Sequence, residues 1–125
     1  MDLRPHHIGI ICGDLERSKA FYAALGFEPV SEMRLPDKTL VFMRLGELQV
    51  ELFGYHAPVA EAPAVERARG FKHLALECED IDAAYRDLRE AGVIGPEIEM
   101  TITPSGWRLL FFPDPDGMEI EIKER

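Results

Sequence analysis

The chain has 125 residues, of which 46% are hydrophobic and 30% charged, with a formal net charge of −9 and two cysteines. Length and composition are typical of one soluble globular domain. The negative charge argues against nucleic acid and anionic membrane as partners, because both bind to basic surfaces. No apolar run approaches the roughly 18 residues of a membrane span, and the N-terminus is unlike a signal peptide. Two cysteines are too few for a disulfide scaffold, so we expect a cytoplasmic protein.

The first half of the chain predicts a strand, a helix and three further strands. Ile8–Cys12 is a β-branched run, and the alternation of side chains along it puts His7 and Ile11 on one face. Asp14 is a good helix N-cap, and Gly26 suits the left-handed position that ends a helix. The next strands are expected over Phe27–Met33, Thr39–Leu45 and Leu48–Phe53.

The stretch 54–70 connects the two halves of the chain. It contains Pro58 and Pro63 and has no strand periodicity. Because this is long for an interior loop, we expect it to carry a short helix or to form part of a site.

The second half repeats the plan of the first. His73–Gly92 begins with a histidine at a strand, continues with the helix cap Asp80 and ends in glycine, and His7–Gly26 has the same plan 66 positions earlier. The remaining strands are expected over Ile94–Thr103, Trp107–Phe112 and Met118–Ile122. The sequence therefore predicts a single domain, 1–125, of the α+β class. It would contain two βαβββ modules, at about 5–53 and 71–125, whose two curved sheets form a concave, mixed-sheet cleft.

The residues that carry chemistry stand at matching places in the two modules. His7 and His73 begin equivalent strands, and the last strand of each module has a carboxylate in an apolar ladder: Glu51 in the first, Glu119 and Glu121 in the second. If the two sheets curl around a common cleft, two imidazoles and two carboxylates converge there. A divalent cation would remove the cost of unpaired carboxylates in such a cleft. Nitrogen and oxygen donors suit Ni, Co, Zn, Fe or Mn better than Ca.

Several other side chains have both a functional and a structural interpretation. Phe42 and Trp107 either line a substrate pocket or pack in the core, and core packing is favoured. Arg44 and Arg108 either bind a substrate carboxylate or face water. His56 is expected at the surface. Glu119 is interpreted as a solvated or salt-bridged neighbour of the site.

The segments HIGIICGDLERSKAFYAALGF, VELF, KHLALECEDIDAAYRDLREAG and FFPDPDGMEIEI resemble the glyoxalase/bleomycin resistance/dioxygenase (vicinal oxygen chelate) superfamily, and most of all small bacterial lactoylglutathione-lyase-like proteins. The resemblance implies paired βαβββ modules around one divalent metal, often in a homodimer. The ligand positions of the family match His7, Glu51, His73 and Glu121. Glu121 is preferred to Glu119 because the glutamate of the family follows the apolar residue four after the second aspartate of DPDG. Met118 stands where the family usually has asparagine.

The resemblance also implies an activity. A glyoxalase I-type lyase or isomerase would convert the adduct of an α-oxo-aldehyde and a thiol through a metal-stabilised enediolate, with Glu121 as ligand and base and Glu51 returning the proton. The alternatives within the superfamily are an acyl-CoA epimerase, whose branch usually has glutamine at the position of Glu51, and a metal-dependent oxygenase or thiol transferase. An alternative of another class is a non-catalytic, drug-sequestering binding protein. The complete ligand set favours an enzyme. We expect a homodimer that binds a small-molecule substrate.

Overall fold

The structure is a computed structural model that describes residues 1–62 and 69–125. In chain order its elements are β1 Ile8–Ile11, α1 Leu15–Ala24, β2 Glu28–Arg34, β3 Lys38–Leu45, β4 Leu48–Tyr55, β5 His73–Cys78, α2 Ile81–Glu90, β6 Thr101–Ile102, β7 Arg108–Pro113 and β8 Glu119–Glu124. Both halves have the order βαβββ, and the predicted α+β class is confirmed. None of the helices in these ranges is long and apolar enough to span a bilayer. Residues 63–68 of the connector, where we expected a short helix or part of a site, lie outside the described residues.

The chain divides into two compact units, 1–61 (unit 1) and 62–125 (unit 2). Unit 1 contains a four-stranded sheet in the order β1-β4-β3-β2, and unit 2 contains one in the order β5-β8-β7-β6. In each sheet the first strand pairs in parallel with the last, and the other neighbours pair antiparallel. The two units therefore have the same mixed topology.

The helices begin and end where the sequence predicts. The Asp14 carboxylate accepts a hydrogen bond from the Arg17 backbone N–H at 3.1 Å, and Asp80 accepts one from Ala83 at 2.9 Å. Each cap satisfies a backbone donor that has no partner within the helix. Gly26 follows α1 with a φ of 102°, a conformation that glycine adopts readily.

Each sheet packs one face against its own helix. Leu15 of α1 lies against Gly54 of β4, and the N-terminus of α2 contacts the Glu124 side chain of β8. The alternating strand residues that point the same way form the core, namely Val50, Leu52, Ile120 and Ile122. Glu51 and Glu121 stand between these residues and are partly exposed. They therefore lie on the opposite side of each sheet, which we call the open face.

One predicted strand is wrong in its extent. The sequence indicated a strand over Ile94–Thr103, but only Thr101–Ile102 pairs with β7. Upstream of this pair the chain turns, because the Ile98 N–H donates to the Gly95 carbonyl at 3.3 Å. The Ile98 carbonyl accepts a hydrogen bond from the Tyr85 hydroxyl of α2 at 2.9 Å. The backbone N–H and C=O groups of Ile98 therefore find their hydrogen-bond partners in the turn and in α2.

Candidate metal centre

In unit 1 the predicted ligands His7 and Glu51 lie side by side on the open face. β1 runs parallel to β4 with Gly9 opposite Glu51, and His7, two residues before Gly9, points to the same face. The His7 Nε2 atom lies 3.5 Å from a carboxylate oxygen of Glu51, and the two side chains are 35% and 12% exposed. The carboxylate is thus largely shielded, while the imidazole stays accessible.

Unit 2 builds the same pair from His73 and Glu121. β5 runs parallel to β8 with Ala75 opposite Glu121. The His73 Nε2 atom lies 3.0 Å from a carboxylate oxygen of Glu121, and the side chains are 28% and 15% exposed. Equivalent strand registers therefore place one predicted histidine beside one predicted carboxylate within each unit.

A phenylalanine ring accompanies each pair. Phe42 of β3 stands opposite Glu51, and its ring meets the His7 imidazole edge-on with centroids 5.2 Å apart. Phe111 of β7 stands opposite Glu121, and the centroid of its ring lies 6.1 Å from that of the His73 imidazole. Phe42 thus borders the candidate site. Sequence reasoning missed Phe111, which the repeat itself would have indicated once the strands were paired.

The two histidines differ in the partner of their second ring nitrogen. His73 Nδ1 lies 3.1 Å from a carboxylate oxygen of Glu119, and the Lys72 ammonium lies 3.7 Å from the same oxygen. His7 Nδ1 instead lies 2.7 Å from Nδ1 of His6, an exposed residue. Glu119 is therefore salt-bridged, as the sequence suggested, and it also contacts the imidazole of a candidate ligand.

The donor atoms of each pair fit a divalent ion. Two ligands at about 2.1 Å from one ion and at right angles to each other are about 3 Å apart, and the two Nε2-to-oxygen distances are 3.5 and 3.0 Å. Imidazole with carboxylate suits Zn, Ni, Co, Fe or Mn. Within residues 1–62 and 69–125, no group of three or more His, Cys, Asp or Glu side chains is found that could hold a metal ion. The complete four-ligand centre therefore stays a proposal.

Arg108 contributes to the structure of unit 2. Its guanidinium donates to Asp82 at 2.8 Å and to both carboxylate oxygens of Glu124 at 2.9 and 2.7 Å. These hydrogen bonds hold the pKa of Glu124 below its ordinary value and raise the pKa of Arg108. Arg108 is thus paired with protein carboxylates, which was neither of the two interpretations that the sequence left open.

Two other residues from the sequence analysis lie at the surface. Trp107 is 55% exposed, with the Lys123 ammonium 4.0 Å from its ring centre; the expectation that it packs in the core was wrong. His56 is exposed, as expected, with Nε2 3.1 Å from the Thr39 hydroxyl and Nδ1 3.2 Å from the Pro36 carbonyl. These contacts join the end of β4 to the β2–β3 turn.

Residues 4–122 match the sequence model of the Glyoxalase/Bleomycin resistance protein/Dioxygenase superfamily. The chain belongs to this superfamily. Many members are enzymes, members typically bind divalent metals, and they commonly bind small molecules and act as dimers. The resemblance noted in the sequence is thereby confirmed at the level of the superfamily.

Individual relatives match almost the whole chain. The uncharacterized protein YwkD of Bacillus subtilis (strain 168) is 36% identical over 124 residues, which are 96% of this chain and 95% of the relative. The mitochondrial methylmalonyl-CoA epimerase of Homo sapiens is 30% identical over 129 residues, with coverage of 97% and 73%. The crystal structure of a lactoylglutathione lyase from Agrobacterium tumefaciens matches with a TM-score of 0.68 at 27% identity, covering 99% and 95%.

Proposed function

We propose that this protein is a metal-dependent enzyme of the glyoxalase I type, which moves a proton between two adjacent carbons of a small substrate. The main support is the repeated pair, His7 with Glu51 and His73 with Glu121, which offers two nitrogen and two carboxylate ligands on the open faces. A protein that only sequesters a small molecule has no need of two matched sets of donors. The similarity to a lactoylglutathione lyase agrees with this proposal.

A bound divalent ion (Ni, Zn, Co, Fe or Mn) would supply Lewis acidity toward two neighbouring substrate oxygens and so make the adjacent C–H group more acidic. Glu121, which is 15% exposed, is the base that takes the proton from the hemithioacetal carbon. Glu51 returns a proton to the neighbouring carbonyl carbon. The C–H bond of one carbon is replaced by a C–H bond on the next, and the hydroxyl proton of the first carbon moves to the oxygen of the second. The hemithioacetal thus becomes an α-hydroxy thioester without an external oxidant or reductant.

An acyl-CoA epimerase is the second candidate. It is supported by the similarity to methylmalonyl-CoA epimerase along 97% of this chain. The same two carboxylates would remove and return the proton on the carbon next to the thioester. Glu51 favours the glyoxalase type, because the epimerase branch usually has glutamine at this position.

Turnover in D₂O distinguishes these candidates. With zinc or nickel added, a glyoxalase I-type enzyme converts the adduct of methylglyoxal and a thiol to an α-hydroxy thioester, as followed by proton NMR. An epimerase instead exchanges the α-proton of methylmalonyl-CoA for deuterium. Absence of both reactions in the metal-loaded protein, together with tight binding of either compound, would favour the binding-protein alternative.

Glu121→Gln tests the base directly. The amide oxygen can still coordinate an ion, but the side chain has lost its basicity, so we expect turnover to fall on the order of 10²–10⁴-fold while metal content falls much less. Glu47→Gln is the matched control: this exposed residue lies between β3 and β4, and its substitution removes the same charge away from the site. Full turnover in Glu121→Gln would show that another group is the base.

We also propose that the protein forms a homodimer. β2 is an edge strand, and Val30 and Met33 along it are 50% and 59% exposed. An unpaired strand edge with exposed apolar side chains favours association, and a two-fold interface would cover it. We expect light scattering at micromolar concentration to give twice the mass of the chain. A monomer under these conditions would contradict the proposal.

A further inference from the structure

The imidazole of His73 lies between two carboxylates of one strand. Its Nε2 atom is 3.0 Å from Glu121, and its Nδ1 atom is 3.1 Å from Glu119. The parallel pairing of β5 with β8 causes this, because Glu119 stands opposite His73 and Glu121 stands opposite Ala75. The two glutamates thus reach the same ring from the same face of the sheet.

Unit 1 does not repeat this arrangement. The residue two before Glu51 is Gln49, an uncharged amide, at the place that Glu119 occupies in unit 2. The second ring nitrogen of His7 lies beside the His6 ring instead, at 2.7 Å. In the part of the chain that the structure describes, a carboxylate at Nδ1 is therefore found for the histidine of unit 2 and not for that of unit 1, and the repeat of the fold does not require it.

We propose that Glu119 is a positioning residue that fixes the tautomer and orientation of His73, an inference that rests on the proposed metal-dependent function. An ionised carboxylate can only accept hydrogen bonds, so the His73 nitrogen that faces Glu119 carries the hydrogen. The neutral ring then has its lone pair on Nε2, beside Glu121, where a metal ligand is needed. Without Glu119 the other tautomer, which has its hydrogen on Nε2, competes with metal binding.

Lys72 supports this role of Glu119. Its ammonium lies 3.7 Å from the carboxylate oxygen that contacts His73. This ion pair helps to hold the Glu119 carboxylate beside Nδ1. A carboxylate behind a metal-bound histidine typically increases metal affinity, and its removal costs roughly 10–100-fold.

The test is zinc affinity of the purified, metal-free chain, measured by calorimetry for the wild type, Glu119→Ala, Glu119→Gln and Gln49→Ala. We expect Glu119→Ala to bind zinc roughly 10–100-fold more weakly and Glu119→Gln to recover most of this loss, because its amide oxygen still accepts from Nδ1. Gln49→Ala, the matched change in unit 1, should bind like the wild type. In the zinc-loaded wild type, ¹⁵N NMR of the His73 side chain should show the hydrogen on Nδ1.

The outcomes separate this inference from the proposed function. No zinc binding by the wild type would reject the metal centre, and Glu119 would then have no ion to serve. Zinc binding that is equally tight in the wild type and Glu119→Ala would reject the positioning role alone. An equal loss in Glu119→Gln and Glu119→Ala would also reject it, because it would indicate an effect of charge only.

Discussion

The two units have the same strand order, and each contains its own His–Glu–Phe cluster. The open faces of the two units nevertheless differ beside these clusters. In unit 1 the next open-face residues are Ile11 and Phe53, which stand opposite each other, with Leu40 opposite Phe53 on β3. At the equivalent places unit 2 has Glu77 opposite Lys123. The positions of the candidate ligands are thus common to both units, whereas the next residues on the two parallel strands are apolar in unit 1 and charged in unit 2.

The contact between helix and sheet also differs between the units. In unit 1, Gly54 lets Leu15 approach β4 so closely that a Cβ at Gly54 would lie 2.7 Å from the leucine side chain. At the equivalent place in unit 2, Glu124 binds Arg108 and lies 3.4 Å from the backbone nitrogen of Ile81. One unit therefore joins helix and sheet by apolar packing, and the other also uses ionic hydrogen bonds.

Removal of either histidine gives the largest expected effect and asks whether the His–Glu pair of each unit is needed to hold the ion. The wild type should retain roughly one divalent ion per chain after purification without a chelator or an affinity-tag metal. His7→Ala and His73→Ala should each lose it, because each removes a nitrogen ligand, while circular dichroism should show an intact fold. Elemental analysis measures the metal.

Two results would contradict this prediction. Loss of the ion in only one of the two variants would show that the ion needs the histidine of one unit and not that of the other. A wild type without a divalent ion, whose melting temperature does not change when metals are added, would show that the metal interpretation is wrong.

Much of this comparison could be predicted from the sequence, because it depends on local rules. The caps Asp14 and Asp80 and the faces of His7 and His73 follow from helix-start chemistry and from the two-residue alternation of a strand. Contacts between strands could not be predicted in this way. The contact of Glu119 with His73 depends on the register of β5 against β8, which neither strand specifies by itself.

The short β6 and the exposure of Trp107 were missed for a related reason. The segment before β6 has strand-like composition, but its conformation depends on a hydrogen bond from Tyr85, a residue of the preceding helix. Trp107 lies immediately before β7, with the Lys123 ammonium beside its ring. Both outcomes depend on tertiary neighbours that overrule local preference.

A smaller effect, on stability, is expected from the buried hydroxyl of Ser18 in α1, which has no counterpart in α2. Ser18 is fully buried in α1, and its hydroxyl has no hydrogen-bond partner among the contacts of the described chain. The equivalent residue of α2 is Ala84. An unsatisfied buried hydroxyl is costly, so Ser18→Ala should raise the free energy of unfolding by about 1 kcal/mol, as measured by urea denaturation.

The reverse change is the matched control for this comparison. Ala84→Ser places the hydroxyl at the equivalent position in unit 2, which is only partly buried, so it should change the free energy of unfolding less than Ser18→Ala does. If Ser18→Ala lowers the free energy of unfolding instead, the Ser18 hydroxyl stabilises unit 1 and the prediction is wrong.

The smallest expected effect is a change in melting temperature at acidic pH, and it depends on the hydrogen bonds from Arg108 to Glu124 in unit 2. Arg108 lowers the pKa of Glu124 in the folded protein, so the ionised carboxylate stabilises the fold above its unfolded pKa of about 4.3. This stabilisation is lost as the pH falls through the lower, folded pKa. Arg108→Gln should remove most of this stabilisation, so the melting temperature of the variant should fall less than that of the wild type as the pH is lowered from about 5 to 3.

Arg44→Gln, an exposed change in unit 1, is the control and should leave the acid dependence of the melting temperature as it is in the wild type. Parallel curves for wild type and Arg108→Gln would show that the Arg108–Glu124 contact is too solvent-screened to contribute, and the helix contacts of the two units would then differ in geometry but not in their response to pH.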